Sequence, residues 1–333
     1  MFLICIDIYY SVKGIDKKDK KILYELDQNS RHSLANLGKK VGLAKSIVAY
    51  RIKRMTNMGI IKSYYTVVDL YKLGFIAPRF HFVYQYVNPE IQNEIINYFV
   101  NNKYTFIVVS TYGPFDLSVL FGLRDIRKMF FIWQEIQNKF GHYFEKQSLA
   151  FYLNEMHFPP SYLIEEKRTY KKTIEIRSNT EYINLDPLEY KILHALSPNA
   201  QIKLTYLANS LNVSSRQIGY RIKKMKENRV IEGFRTEIDI SKLGYQDYKV
   251  YILLRKFNLR NHIIDFISSN PHLINIDTTT GESHLELEFH VKNTNQIHEI
   301  IQEISEHFPK AIRNYYHVSV KKVHKWLYLP QTL

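Results

Sequence analysis

One cysteine stands among 333 residues, Cys5, so the chain can form no internal disulfide and no cysteine-built metal cage. That scarcity fits a reducing compartment, and a cytoplasmic location is expected. Long apolar runs are also missing. Met1 to Tyr10 is broken by Asp7, lacks a basic leader, and falls well short of the roughly 20 residues a membrane helix needs. It reads as a strand or tail ahead of the first domain, and no membrane partner is expected. No G-x-S-x-G, Walker loop, H-E-x-x-H or G-x-G-x-x-G occurs. His284 and His290 share a strand face, yet no third close ligand completes a metal set. Catalytic residues, metal and cofactor are therefore all expected to be absent, and the chain is read as not an enzyme. Acidic residues are in deficit, 32 against 46 Lys and Arg, and the net charge of +14 draws polyanions. With 45% hydrophobic and 23% charged residues the composition is that of an ordinary globular protein, and the length implies two or more domains.

The chain contains itself twice. Asp16 to Phe75 aligns without gaps onto Asp186 to Tyr245, a shift of 170 residues, with about a third of the positions identical. Tyr50-Arg51-Ile52-Lys53 matches Tyr220-Arg221-Ile222-Lys223, and Lys72-Leu73-Gly74 matches Lys242-Leu243-Gly244. Units this long indicate a tandem fusion rather than a solenoid.

In the first copy the apolar residues of Asp16 to Asp27, Ser33 to Val41 and Ala44 to Met58 recur at helical spacing and predict three short amphipathic helices. Gly42 suits a tight helix-helix turn and Gly59 a helix stop. Ile60 to Asp69 switches to β-branched and aromatic residues, as a strand pair or wing does. The second copy marks its third helix better, with Ser214 and Gln217 as a capping box where the first has Ala44 and Ile47. The remainder of each copy reads strand, helix, strand, strand, helix, strand, the ferredoxin-like order. The expected domains are a strand or tail over 1–14, helical domains over 15–75 and 185–245, ferredoxin-like domains over 76–157 and 246–333, and a charged linker over 158–184 that opens with Pro159-Pro160.

Ile15-Asp16-x-x-Asp19-x-x-Ile22-Leu23, Asn29-x-Arg31, Val41-Gly42-Leu43, Arg51-Ile52-Lys53-Arg54-Met55, Gly59-Ile60-Ile61 and Lys72-Leu73-Gly74 fall in an order that resembles the Lrp/AsnC family of transcription regulators. The resemblance implies an α+β fold of two winged helix-turn-helix domains, each followed by a ferredoxin-like βαββαβ (RAM-type) domain. It also implies self-association through the ferredoxin-like domains, so that one chain forms an internal pseudo-dimer and can oligomerise further. Gly113-Pro114-Phe115-Asp116 is similar to the family's Gly-x-x-Asp turn and implies an amino-acid effector at Gly113 and Asp116, with Gly281 and His284 at the matching place in the second copy. The second copy departs with Glu189 for the later Asp, Gln201 for Arg31 and Arg229 for Gly59.

The third helix of each copy can be tested for a DNA face. With Val48, Ile52 and Met55 inward, steps of about 100° turn Ser46, Tyr50 and Lys53 outward, with Arg54 beside them. In the second copy Arg216, Tyr220, Lys223 and Lys224 turn outward. A helix-turn-helix lays this helix in the major groove of double-stranded DNA. Lys45, Ser46, Ser215, Arg216 and Gln217 are then the candidates for base edges, because Arg suits guanine and Gln suits adenine. Lys53, Arg54, Lys223 and Lys224 would neutralise phosphates, and Tyr50 and Tyr220 would meet phosphate or sugar. Arg51 and Arg221 lie nearer the apolar stripe and are expected to serve structure as much as contact. The expected function is sequence-specific binding of double-stranded DNA by two unequal recognition helices. The alternative is an enzyme resembling siroheme decarboxylases, which share the two-domain plan; His81 is then the tempting position.

Overall fold

Asp16 begins the first helix by accepting from the Asp19 N–H at 2.8 Å, while the Asp19 carboxylate accepts from the Asp16 N–H at 3.0 Å. In the computed structural model, which describes residues 14–164, 174–327 and 329–330, this start leads into α1 (Lys17–Gln28), α2 (Leu34–Val41) and α3 (Lys45–Asn57). The residues read as an N-terminal strand or tail, and Cys5 with them, lie outside the described residues up to residue 13. The chain continues through β1 (Ile61–Val68), β2 (Pro78–Tyr84), α4 (Pro89–Asn101), β3 (Thr105–Tyr112), β4 (Leu117–Phe121), α5 (Arg127–Phe140) and β5 (Phe144–His157). After β6 (Ile174–Arg177) the second copy follows as α6 (Pro187–Leu196), α7 (Leu204–Leu211), α8 (Ser215–Glu227), β7 (Ile231–Ile238), β8 (Gln246–Leu254), α9 (Arg260–Ile267), β9 (Leu273–Thr280), β10 (Leu285–Val291), α10 (Thr294–His307) and β11 (Ile312–Trp326).

Gly42 and Gly59 both adopt left-handed backbone, at φ +67° and +68°. The second copy keeps the shape with other residues: Asn212 at +53° and Arg229 at +57°. Asn tolerates this region, whereas Arg229 adopts it at a cost of about 1–2 kcal/mol, with its guanidinium held by Glu232 at 3.1 Å.

The two copies are interleaved. The segment expected as a strand pair or wing is a single strand in each copy, and β1 pairs antiparallel with β7 in a two-stranded ribbon. The ferredoxin-like halves each show the strand order 4-1-3-2. Their second and fourth strands join across copies, β3 to β11 and β5 to β9, so that eight strands close on themselves, with β6 added on β5. Alternation then gives every strand two destinations. Phe82, Phe121, Leu285, Leu287 and Phe289 face outward into cores covered by α4 and α5 on one side and α9 and α10 on the other. Arg79, His81, Glu286 and Lys249 face inward.

The helical domains are likewise completed by the opposite copy. The core around Ile22, Leu37, Val48 and Met55 includes Leu243, Tyr245 and Ile274, and the core around Ile192, Leu207, Ile218 and Met225 includes Val68, Leu73 and Phe75. Equivalent hydrogen bonds cross in both directions: Arg31 donates to the Ala200 carbonyl at 2.8 Å and Gln201 to the Ser30 carbonyl at 2.7 Å. The Thr66 hydroxyl donates to the Leu196 carbonyl at 2.7 Å and that of Thr236 to the Leu26 carbonyl at 3.0 Å. Gln201, a departure from the first copy in sequence, keeps the same clasp.

The stretch expected as a linker carries more structure than that. Phe158, Tyr162 and Leu163 are buried, and the apolar alternation Ile174-Glu175-Ile176 lays β6 along the end of β5 against Val67. Residues 165–173, which hold most of its charge, lie outside the described residues.

Candidate DNA-binding surface

Burial of Val48 and Met55 fixes the roll of α3, and burial of Ile218, Ile222 and Met225 fixes that of α8. The opposite faces reach water at equivalent positions. On α3, Lys45, Ser46, Tyr50 and Lys53 are exposed; on α8, Arg216, Gln217, Tyr220 and Lys223 are exposed, with Ser215 half-buried. Tyr50 and Tyr220 leave 66% and 65% of their surface in solvent, at matching positions of the two helices. Ser214 accepts from the Gln217 N–H at 3.2 Å, and Gln217 Oε1 accepts in return from the Ser214 N–H at 2.9 Å. The Gln217 oxygen is therefore engaged in the cap and only its amino group is left to meet a base edge.

Four of the expected contact residues pair with acids at the start of the first helix of their copy: Arg51 and Arg221, expected to serve structure as well as contact, and Arg54 and Lys224, expected at phosphates. Arg51 bridges Asp16 at 2.8 Å and Asp19 at 2.9 Å, and Arg54 reaches the same Asp19, which is wholly buried. In the second copy Arg221 pairs with Asp186, and Lys224 lies 3.1 Å from the buried Glu189. Burial by itself would raise the Asp16 and Asp186 carboxyls. The backbone N–H bonds of their capping boxes, together with Arg51 and Arg221, hold both below their ordinary value. A buried carboxylate needs a paired cation, so these cations brace the first helix against the third and set the angle of each recognition helix.

The four residues expected at an effector pocket build turns. Gly113 and Gly281 take φ +139° and +110°, and a Cβ added there would meet the His317 carbonyl at 2.9 Å or the Leu149 carbonyl at 2.6 Å. Each is the point where one copy's hairpin passes beneath the other's last strand. Asp116 accepts from the Tyr84 N–H at 2.8 Å and His284 Nδ1 from the Leu254 N–H at 3.1 Å, the same brace in both copies.

His81 sits inside the closed sheet, stacked on Phe115 with 3.7 Å between ring centres, and Tyr251 meets it edge-on. Burial, then the nearby Arg79, drives its imidazole well below the ordinary range. The unfolded chain takes up this proton below about pH 6.5 while the native fold resists it, so stability is fully present above that pH and falls below it. Melting temperature followed from pH 7 to pH 5 should drop less for His81→Phe than for the native chain. Equal drops would show that His81 takes up its proton as readily in the native fold as in the unfolded chain.

A family model described as winged helix-turn-helix DNA-binding matches residues 15–62 and 185–232. An uncharacterized HTH-type transcriptional regulator of Pyrococcus abyssi is 35% identical over 115 residues, which cover 34% of this chain and 74% of that protein. The chain belongs to the Lrp/AsnC family of helix-turn-helix regulators. LrpB of Bacillus subtilis is 20% identical over 143 residues, 43% of this chain and 93% of LrpB. The Lrp/AsnC tandem is also similar along its whole length to the crystal structure of the siroheme decarboxylase NirDL, with TM-score 0.62, 14% identity and coverage of 95% of this chain and 94% of that one. This last likeness shows a shared fold and corrects one expectation. The two-unit architecture is also that of an enzyme, so the lack of a catalytic motif does not exclude catalysis for this chain. Catalytic motifs mark chemistry that local sequence must position, whereas residues gathered from distant strands leave no such mark. No helix among the described residues is long and apolar enough to cross a membrane.

Proposed function

We propose that this Lrp/AsnC tandem is a sequence-specific transcription regulator that reads double-stranded DNA with two unequal helices, α3 and α8. One observation carries the reading. In both copies the same outward positions face water, while the cations one step away are tied to acids at the start of the first helix. In this arrangement Lys53 and Lys223 neutralise phosphates, Tyr50 and Tyr220 flank the backbone, and Lys45, Ser46, Ser215, Arg216 and Gln217 approach base edges. The reciprocal clasp of the helical domains supports fixed spacing between the helices and hence imperfect inverted half-sites, about one helical turn or a multiple of it apart. Selection of bound fragments from random duplex DNA with the full chain tests this. Arg216→Ala should relax one base position of one half-site, costing about 1–3 kcal/mol there, and leave the other half-site as it was. Loss spread evenly over both half-sites would contradict the assignment.

A second reading, an enzyme acting on a tetrapyrrole, draws on the likeness to the siroheme decarboxylase over 95% of the chain and on a cavity of about 800 Å³. The cavity wall holds seven carboxylates against three Lys or Arg side chains, a field that suits a cation better than an acidic tetrapyrrole. Absorbance of the purified chain with added iron-uroporphyrin tests that reading directly.

A further inference from the structure

The second half of the closed sheet carries a group of polar side chains that the first half lacks. Strands β8, β10 and β9 lie side by side, and their register sets Asp247 opposite His290 and Glu288 opposite Asn275. Glu288 and His290, two apart on β10, share the inward face, while Leu287 and Phe289 between and beside them enter the helix-covered core. Asp247, Glu288 and His290 each offer a ligand atom within 4.8 Å of the others. All three, with Asn275, line the cavity between the sheet and the β1–β7 ribbon.

Two further observations point to a bound cation. Asn275 is 8% exposed and gives its amino group to Asp277 at 2.9 Å, yet its side-chain oxygen has no hydrogen-bond partner among the described residues. A buried acceptor left unpaired costs about 1–3 kcal/mol in ordinary folds and calls for an explanation. His290 Nδ1 lies 2.9 Å from the Tyr162 hydroxyl, an outer contact that fixes the ring and leaves Nε2 as the ligating atom. The neighbouring Lys249 ammonium is turned away, 2.6 Å from Asp277 and 3.3 Å from Glu286.

The first half shows what the repeat needs without this group. Lys249 pairs with Glu288 as Arg79 pairs with Leu120, and Glu288 pairs with Asn275 as Leu120 pairs with Ile107. By that register Asp247, Glu288, His290 and Asn275 stand where the first half has Ala77, Leu120, Gly122 and Ile107. Ala77 and Leu120 form an apolar cluster with Phe106, with Ile107 packed against it. Packing and closure are thus met by small or apolar residues, and the polar set answers another demand.

We propose that Asp247, Glu288 and His290, joined by the Asn275 side-chain oxygen, hold one divalent transition-metal ion per chain in this cavity. Two carboxylates balance the charge, and the imidazole selects a Zn²⁺ or Mn²⁺ class of ion over Mg²⁺ and Ca²⁺. The test takes the full chain stripped with a chelator and dialysed against Zn²⁺, Mn²⁺ or Mg²⁺, with bound metal counted and the melting temperature recorded. Zn²⁺ or Mn²⁺ should bind once per chain and raise the melting temperature, and Mg²⁺ should do neither. Glu288→Gln and His290→Gln should each weaken binding by about tenfold or more and abolish the rise. If either variant does not fold, Asp247→Asn carries the same expectation. Native-like metal affinity in these variants, or no Zn²⁺ or Mn²⁺ binding beyond that of Mg²⁺, overturns the proposal.

Discussion

Changing Lys53 and Lys223 together to Ala should lower affinity for duplex DNA by roughly 10- to 100-fold near 0.1 M salt and reduce the log–log salt slope by about two. Both side chains stand on the outward faces of their helices, and Lys223 has an exposed contact with Glu227 at 3.6 Å. In the proposed reading each displaces counterions from a phosphate, so its loss should act on every sequence alike. Changing Lys224 instead should destabilise the fold before it weakens DNA binding, because its ammonium faces the buried Glu189. Binding isotherms at four salt concentrations separate these cases; an unchanged slope for the double variant would remove α3 and α8 from the groove.

Arg79→Met should lower the stability of the folded chain by about 3–5 kcal/mol, the usual cost of leaving one buried charge behind. Arg79 and Glu286 are 3% and 0% exposed and meet through two parallel contacts, with the Tyr152 and Tyr251 rings against the guanidinium. Burial would raise the Glu286 carboxyl, yet Arg79 and then Lys249 hold it far below its ordinary range. Its contribution is therefore present above about pH 4.5 and is lost as the pH falls below that value. The double variant Arg79→Met/Glu286→Leu removes both charges and should recover most of the loss, since well-packed apolar pairs replace buried ion pairs at little cost. Denaturant unfolding of the two single variants and the double measures the coupling. A loss under about 1 kcal/mol for Arg79→Met would mean that water reaches the interior of the sheet.

Whatever depends on local pattern could be read from the residues in order. Helical spacing placed α1 to α3, Gly42 and Gly59 marked their turns, and the 170-residue shift carried the same plan to α6 to α8, where Asn212 and Arg229 keep the left-handed turns without glycine. The resemblance implied that the ferredoxin-like halves of the two copies associate, but which strands and side chains meet between the copies was not legible. Nothing near Arg54 announces that its carboxylate partner is Asp19, 35 residues upstream, so Arg54 and Lys224 were expected at phosphates although both pair with acids of the first helix. The sheet closes through edges that meet only because the two copies fold together, which no periodicity reports. One signal was in view. Leu285-Glu286-Leu287-Glu288-Phe289-His290-Val291 alternates strictly, so both faces of β10 are specified and one is charged. Read as a strand alone, it did not show that Asp247 stands beside Glu288 and His290, because Asp247 arrives from β8 and not from the neighbourhood of His284.

The central claim is that one chain presents α3 and α8 to a single duplex at once. Hydroxyl-radical footprinting of the full chain on its selected fragment measures this. The account predicts two protected patches of unequal strength on one face of the DNA, about one turn or a whole number of turns apart, with Arg216→Ala fading only the patch read by α8. A single patch, or two that fade together, would contradict it.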